Sequence, residues 1–533
     1  MDNVTDIQSR LDSESEEKGG RPPASAVLMQ MALDRYTLGN STTGEAYAIP
    51  IDGPRVVSIL RGSKLSLRGQ LAKLYYNETT RNAPQGALAD VMFTLEAMAQ
   101  DEIEQELFLR AYGNNGTSWL DLGDHTGNAV KITADGWTIE ESPPVLFKRT
   151  VLNSPLPRPE RGGELDELWN YLNVTDSDKP LLAAWLVSTL YHEIPHPVLF
   201  LNGEQGTGKT TAHKVIVSII DPSPVATRKP PRDSESWVTA AAGSWVVGID
   251  NVSDIRDWLS DSICRAVTGE GDVRRKLYTD GDYSVFAFRR CICFNGIHLS
   301  ATRGDLAERM LTVSLERIDP DNRRDEQEVW ESWSADHPRI LGAVLDLVAR
   351  VKRELPSVDL KEKPRMADFA CILAAVDKVM GTNGLAHYKD GQQRLSADSL
   401  SSSPFMAALM SLQQDFHGTS AELLARLAPE KTPKGWPANA GIATQELKRN
   451  APGLRQIGWS IENDGAHNHS NVLTWTVSPQ MARISPPHPS QHSQDMLNEP
   501  TVMSNGECGT ICAACDGEGC RMCGDTGRNP EAM

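Results

Sequence analysis

The sequence predicts an α/β core built on a largely parallel sheet. An α+β domain precedes this core, and a small domain of helices and a β-hairpin and a cysteine-rich tail follow it. Three observations predict this. Short apolar strands alternate with helical stretches from Pro197 onward, the pattern of βα units. One of those strands runs into a glycine-rich loop of the kind that cradles phosphates, and the loop opens a helix. At 533 residues the chain exceeds what one hydrophobic core usually serves, so two to four domains are expected.

Composition narrows the function classes. With 40% hydrophobic and 23% charged residues the chain has an ordinary soluble make-up. Its longest apolar run, Leu181 to Tyr191, is too short to span a bilayer. The acidic, polar first residues are unlike a secretory signal, so no membrane association and a cytoplasmic location are expected. A formal net charge of -18 excludes a generally basic surface, so any DNA contact must be local. Basic clusters occur at Arg228/Lys229/Arg232, Arg274/Arg275/Lys276 and Arg289/Arg290. Taken singly, each is better explained by a solvated charged face.

Residues 1–28, acidic, Ser-rich and poor in apolar side chains, are expected to form a disordered tail. The N-terminal α+β domain spans 29–153. It has helical stretches at Leu65–Tyr76 and Leu88–Gln100, then short strands at Leu107–Tyr112, Ser118–Leu122, Ala129–Thr133 and Trp137–Ile139. Residues 154–196 begin Pro-rich and continue as helices around Leu165–Leu172 and Lys179–His192, a helical linker to the core at 197–320. The region 321–412 is expected to be helical, with helices at Gln327–Trp333, Pro338–Arg353 and Ala367–Met380.

Residues 413–478 change rhythm: helices at Ser420–Leu427 and Ala440–Asn450, then strands at Ile457–Ile461 and Val472–Val477. This order resembles a winged-helix domain, in which Lys448 and Arg449 would touch DNA from the second helix. A small packing module with a solvated helix is the alternative. A polar linker, 479–505, leads to the cysteine-rich motif at 506–527.

The strand Val198–Leu201 precedes Gly203-Glu204-Gln205-Gly206-Thr207-Gly208-Lys209-Thr210, followed by the helical Thr211 to Ile220. This G-x-x-x-x-G-K-T loop in a strand-to-helix setting implies ATP with magnesium. The helix N-terminus favours anions, Lys209 supplies charge to the β and γ phosphates, and the Thr210 hydroxyl reaches the metal. The strand Trp245–Ile249 ends in Asp250, placed as a second magnesium-shell residue. Asn251 follows where many such ATPases carry a glutamate, so the water-polarising base stays open between Asp254 and Glu270.

The strand Cys291–Phe294 ends in Asn295, a candidate γ-phosphate sensor or simply the start of an Asn-Gly turn. Arg309, with Arg303 second, is the candidate for an arginine finger reaching the neighbouring subunit's site. A salt bridge to a nearby carboxylate is the alternative.

The ordered set of P-loop, Asp250, Gly269–Tyr278, Asn295 and Arg309 resembles the phage and plasmid primase-helicase family. The motor of that family is a superfamily 3 AAA+ domain. The resemblance covers roughly residues 105–320 and implies a P-loop AAA+ fold and a homo-oligomeric ring acting on single-stranded or forked DNA alongside replication proteins. It also implies a hairpin carrying Arg274, Arg275 and Lys276 into the ring's channel, turning through Tyr278–Tyr283. The first 150 residues lack a paired-carboxylate strand with a catalytic histidine, so priming is not expected.

Finally, Cys512, Cys515, Cys520 and Cys523 form C-x2-C-x4-C-x2-C, with Cys508 upstream. Two such pairs supply four thiolates for tetrahedral zinc, and the motif resembles a single abbreviated Cys-Gly zinc repeat of DnaJ-type chaperones. Cys264, Cys291, Cys293 and Cys371 lie in apolar segments as reduced core residues. The expected activity is an ATP-driven DNA helicase or translocase in the replication of a phage or mobile element. The alternatives are a DNA-bound regulatory ATPase that uses ATP for assembly, and a chaperone-like protein remodeller.

Overall fold

A computed structural model describes residues 22–62, 66–114, 116–253, 255–270, 272–275, 283–286, 288–296, 304–465 and 473–479. The cysteine motif with Cys512, Cys515, Cys520 and Cys523 lies outside the described residues, as do Lys276, Asp254 and Arg303.

The described residues open with α1 (Ala24–Arg35), β1 (Tyr36–Ser41), β2 (Ala46–Pro50), β3 (Ser58–Ile59), α2 (Leu67–Thr79), α3 (Gln85–Gln100) and β4 (Glu104–Gln105). The strands form one sheet in the order β3-β2-β1-β4. Leu28, Leu67, Leu71, Val91 and Leu95 make a core of their own beside it. A second sheet follows as an antiparallel meander of β5 (Ala111–Asn114), β6 (Thr117–Asp121), β7 (Ala129–Thr133) and β8 (Gly136–Glu140).

The single α+β domain expected over 29–153 is therefore two units. Leu120, Val130, Ile132 and Trp137 of the second sheet join the same hydrophobic core as the central sheet, because they have no helix of their own to cover them. A buried ion pair ties the two together. Arg110 reaches Asp221 at 3.0 Å with both side chains at most 1% exposed. The same guanidinium donates to the carbonyls of Asp121 (3.0 Å) and Ser154 (2.7 Å).

Leu165–Asn170 is a 3₁₀ turn closed by a capping box between Glu164 and Glu167, rather than an α-helix. In α4 (Lys179–Ser188) every residue from Pro180 to Ser188 is buried. An apolar stretch with no polar face can only be a core helix, so the expected linker is part of the core.

The central unit continues through β9 (Val198–Asn202), α5 (Lys209–Ile220), α6 (Ser234–Ala242), β10 (Val246–Ile249) and α7 (Asp257–Thr268). It is completed by β11 (Asp272–Arg275), β12 (Tyr283–Phe286), β13 (Cys291–Gly296), α8 (Gly304–Ala307) and β14 (Met310–Ser314). Its sheet runs β10-β13-β9-β14 with every pairing parallel. A parallel bridge from Arg228 to Ile249 extends it beyond β10. Near-continuous apolar strands such as Val198–Leu201 are what a sheet covered on both faces requires. Ahead of β13, β11 and β12 pair as an antiparallel ladder with Arg275 opposite Tyr283.

One helix, α9 (Glu326–Glu354), replaces the two expected at Gln327–Trp333 and Pro338–Arg353. The proline removes one intrahelical donor, a cost of about 3 kcal/mol. Burial of Trp333, Ile340, Leu341, Val344 and Leu345 along the same face offsets it. The carbonyl of Pro338 also accepts the Glu160 N–H at 2.9 Å. Next come α10 (Ala367–Met380), at the expected bounds, and α11 (Gly384–Ser401).

The last described unit comprises α12 (Pro404–Met410), β15 (Phe416–Thr419), α13 (Ser420–Arg426), α14 (Ala440–Gln456), β16 (Ser460–Asn463) and β17 (Thr474–Ser478). Its three antiparallel strands lie in the order β15-β17-β16 around Phe405, Leu423, Leu447, Leu454 and Trp475. Here too the helix runs further than expected, through Pro452. It stops just short of Gly458, whose φ of +90° the chain needs to turn into β16.

Candidate nucleotide site

The glycine-rich loop joins the buried end of β9 to the first turn of α5. Gly206 (φ +90°) and Gly208 (φ +71°) hold left-handed backbone that other residues rarely adopt. A Cβ at Gly203 would stand 2.7 Å from the Thr207 hydroxyl. The loop therefore closes tightly on the N-terminus of α5, where the helix dipole favours negative charge. Lys209 folds its ammonium back over the loop, donating to the carbonyls of Gly203 (2.6 Å) and Glu204 (2.5 Å). Partial burial lowers its pKa from the ordinary lysine value. Glu204, Gln205 and Gly206 are exposed at the rim, and Thr211 is half-buried inside α5.

Parallel pairing of β10 with β13, Ile249 opposite Phe294, brings Asp250 and Asn295 side by side at the strand ends. The Asn295 amide nitrogen donates to Asp250 Oδ1 at 2.6 Å. The Thr210 hydroxyl lies 3.3 Å from the same oxygen. Asn295 Oδ1 in turn accepts the Asn251 N–H at 2.5 Å. That bond holds Asn251 in left-handed backbone (φ +57°), which asparagine tolerates better than most residues. Asn295 is 2% exposed, so its side chain acts as a strut between two strand ends rather than a surface turn residue.

Four residues singled out in the sequence, Lys209, Thr210, Asp250 and Asn295, thus converge from β9–α5, β10 and β13. A hydroxyl and a carboxylate set 3.3 Å apart beside a cationic loop are the oxygen donors that magnesium takes. Glu270 is exposed at the end of α7, where its N–H bonds the Arg265 carbonyl, outside this cluster.

Arg309 is placed differently from the expectation. Its side chain is 10% exposed, paired with Asp305 of its own chain, and donates to the Asp305 carbonyl at 2.9 Å. Cys264 Sγ lies at 3.7 Å from the same nitrogen, and Arg365 also reaches Asp305, at 3.4 Å. The intramolecular salt bridge, not a free finger, accounts for this geometry. Arg274 and Arg275 lie on β11 within the ladder with β12, opposite Ser284 and Tyr283. Lys448 and Arg449 are exposed on α14, far along the chain from the loop.

Two nearby residues escaped the sequence reading. His213 is fully buried on α5, one helical turn beyond Lys209, with neither ring nitrogen hydrogen-bonded among the described residues. Burial lowers its pKa to about 4, against the opposing pull of the Asp250 charge. Its i+4 spacing from Lys209 was the available signal. The other is Arg323, which overhangs Gly206 and has no signal in the sequence at all.

Two family models match the chain. The actinomycete integrative conjugative element replication protein matches residues 165–398, and the C-terminal domain of that replication protein matches residues 405–490. No curated protein matches. Among solved structures the chain is similar to two of the apo C-terminal region of NrS-1, each at 10% identity and a TM-score of 0.35. Each match covers 85% of this chain and 98% of that one, a likeness too slight to carry an argument. The two family matches adjoin and run from before the central sheet through the strands after α14, and they identify the chain as a replication protein of an actinomycete integrative conjugative element.

Proposed function

We propose that this replication protein is an ATP-hydrolysing DNA helicase or translocase. In this reading the central sheet is a P-loop AAA+ motor that works as a homo-oligomeric ring. The observation that carries the proposal is the convergence of Lys209, Thr210, Asp250 and Asn295 at the ends of three adjacent parallel strands. Lys209, now donating to two loop carbonyls, exchanges those acceptors for the β and γ phosphate oxygens. Thr210 and Asp250 would hold magnesium, which would supply positive charge to neutralise the phosphates. Asn295 fixes the Asp250 carboxylate and keeps the Asn251 amide in place, so the site is ordered before ATP arrives. Asn251 has no ionisable group to act as a base.

Arg274, Arg275 and Lys276 would grip DNA phosphates from the β11–β12 hairpin. Lys448 and Arg449 would do so from a winged-helix-like unit whose helices and three-stranded sheet follow that order. Cys512, Cys515, Cys520 and Cys523 would hold one structural zinc. Replacing Lys209 with Ala tests the nucleotide site: ATP turnover is expected to fall to background, and undiminished turnover would remove the assignment. A regulatory ATPase that uses ATP only for assembly on DNA differs in one outcome, since its turnover would not respond to single-stranded DNA.

A further inference from the structure

After β14 the chain crosses the mouth of the glycine-rich loop before entering α9, and it is pinned on both sides of the crossing. Glu316 donates its N–H to the Asn173 carbonyl at 2.7 Å, and Ile318 donates to the Gly206 carbonyl at 3.4 Å. The Ile318 side chain lies 3.1 Å from where a Cβ would stand on Gly208. Asp319 caps the short turn Pro320–Asn322. On the far side, Lys214 of α5 pairs with Glu326, the first residue of α9, at 3.3 Å.

Arg323 sits between these anchors. Its Nη2 is 3.5 Å from the position a Cβ would take on Gly206, so the guanidinium lies directly over the loop. The side chain is exposed, with no hydrogen bond or ion pair among the described residues. Its neighbour Arg324 is engaged: it donates to the Asn170 carbonyl at 2.9 Å and lies over the Tyr171 ring. Arg323 and Lys209 are thus two cations at one loop, and like charges at such a place are stabilised by an anion between them.

We infer that Arg323 contacts the terminal phosphates of the nucleotide bound on its own chain. This rests on the nucleotide reading of the loop and adds to it a phosphate-sensing arginine. Because Arg323 stands only three residues before α9, its grip on a terminal phosphate also ties the position of that helix to whether ATP or ADP is bound.

The test is binding of a fluorescent ADP and of a non-hydrolysable ATP analogue to the full chain carrying Arg323→Ala or Arg323→Lys, with circular dichroism as the check on folding. Arg323→Ala is expected to weaken the triphosphate analogue at least tenfold and ADP less than threefold, with Arg323→Lys between it and the wild type. Equal loss of both ligands, or loss of neither, overturns the inference.

Mixing Arg323→Ala with Lys209→Ala chains separates a cis contact from a trans one. A cis contact leaves every site defective, whereas restored turnover would place the arginine in the neighbour's site and overturn the inference. If Lys209→Ala binds both nucleotides like the wild type, the reading of the loop fails. If Lys209→Ala loses them while Arg323→Ala keeps the wild-type preference for the triphosphate, only the Arg323 inference fails.

Discussion

Replacing Arg110 with Met removes the cation that joins the β5–β8 sheet to the central sheet. In the folded chain Asp221 stands at the end of α5, and its Oδ2 accepts the N–H groups of Trp245 (2.8 Å) and Val246 (3.1 Å). Its Oδ1 takes Arg110 Nε at 3.0 Å and Asn153 Nδ2 at 3.1 Å. Without Arg110 the carboxylate, 1% exposed, loses its direct ion-pair partner and keeps only the more distant charges of Arg228 and Arg290, and the carbonyls of Asp121 and Ser154 each lose a donor. Breaking such a buried pair by removing one partner costs about 3–5 kcal/mol.

The local readout is hydrogen exchange over residues 244–249, whose first amides hang on Asp221. Protection there should fall by a factor on the order of 10² to several times 10³, at 1.4 kcal/mol per tenfold. Asp221→Asn alone should cost less than Arg110→Met. The double variant should cost less than the sum, because removing both members of the pair leaves neither buried charge without its direct partner. Additive costs, or unchanged exchange in Arg110→Met, would refute the argument that this pair locks the two sheets.

Three further outcomes follow from the same geometry. Asn295→Ala removes one strong bond to the Asp250 carboxylate, worth about 1.5–3 kcal/mol, so ATP turnover should fall by roughly tenfold to a hundredfold; turnover within twofold of wild type would count against the strut. Burial lowers the pKa of His192 to about 4, His196 to about 3 and His337 to about 4, the Arg289 charge adding to it for the first two. The unfolded chain therefore binds more protons between about pH 4 and 6.5, and stability present above pH 6.5 is lost as pH falls through that window. At pH 5 each histidine should cost about 2 kcal/mol, and a urea midpoint unchanged between pH 7 and 5 would contradict this. Metal analysis should find one zinc per full chain and none in a chain ending at residue 505; equal zinc in both would remove the four-cysteine site.

The convergence of the candidate site was more legible than the domains around it, for a physical reason. A phosphate loop needs particular residues at fixed spacing after a buried strand, so Gly203 to Thr210 stand out locally, as do Asp250 and Asn295 at the ends of apolar strands. Membership of a core is not local. Nothing in the alternation of Ala129–Thr133 tells whether its inner face meets its own helices or another sheet's, and in the fold it meets the central core.

Prolines were the second source of error. One expected helix begins at Pro338 and another stops short of Pro452, yet both helices in the fold run through their prolines because packing along the rest of the face outweighs one lost donor. For charged residues the sequence carried identity without partner. Arg309 was visible as an arginine before a strand, but its pairing with Asp305 and its contact with Cys264 arise only when α7, α8 and β14 meet. Arg323 came to the loop through a crossing that no local pattern announces.

The measurement that tests the central claim most directly is steady-state ATP turnover by the full chain, with and without single-stranded DNA, in the wild type and in Lys209→Ala. A DNA motor predicts wild-type turnover that rises several-fold with DNA and a Lys209→Ala variant at background in both conditions. Turnover that ignores DNA would contradict the motor and leave an assembly ATPase, and turnover that survives in Lys209→Ala would contradict the nucleotide site itself.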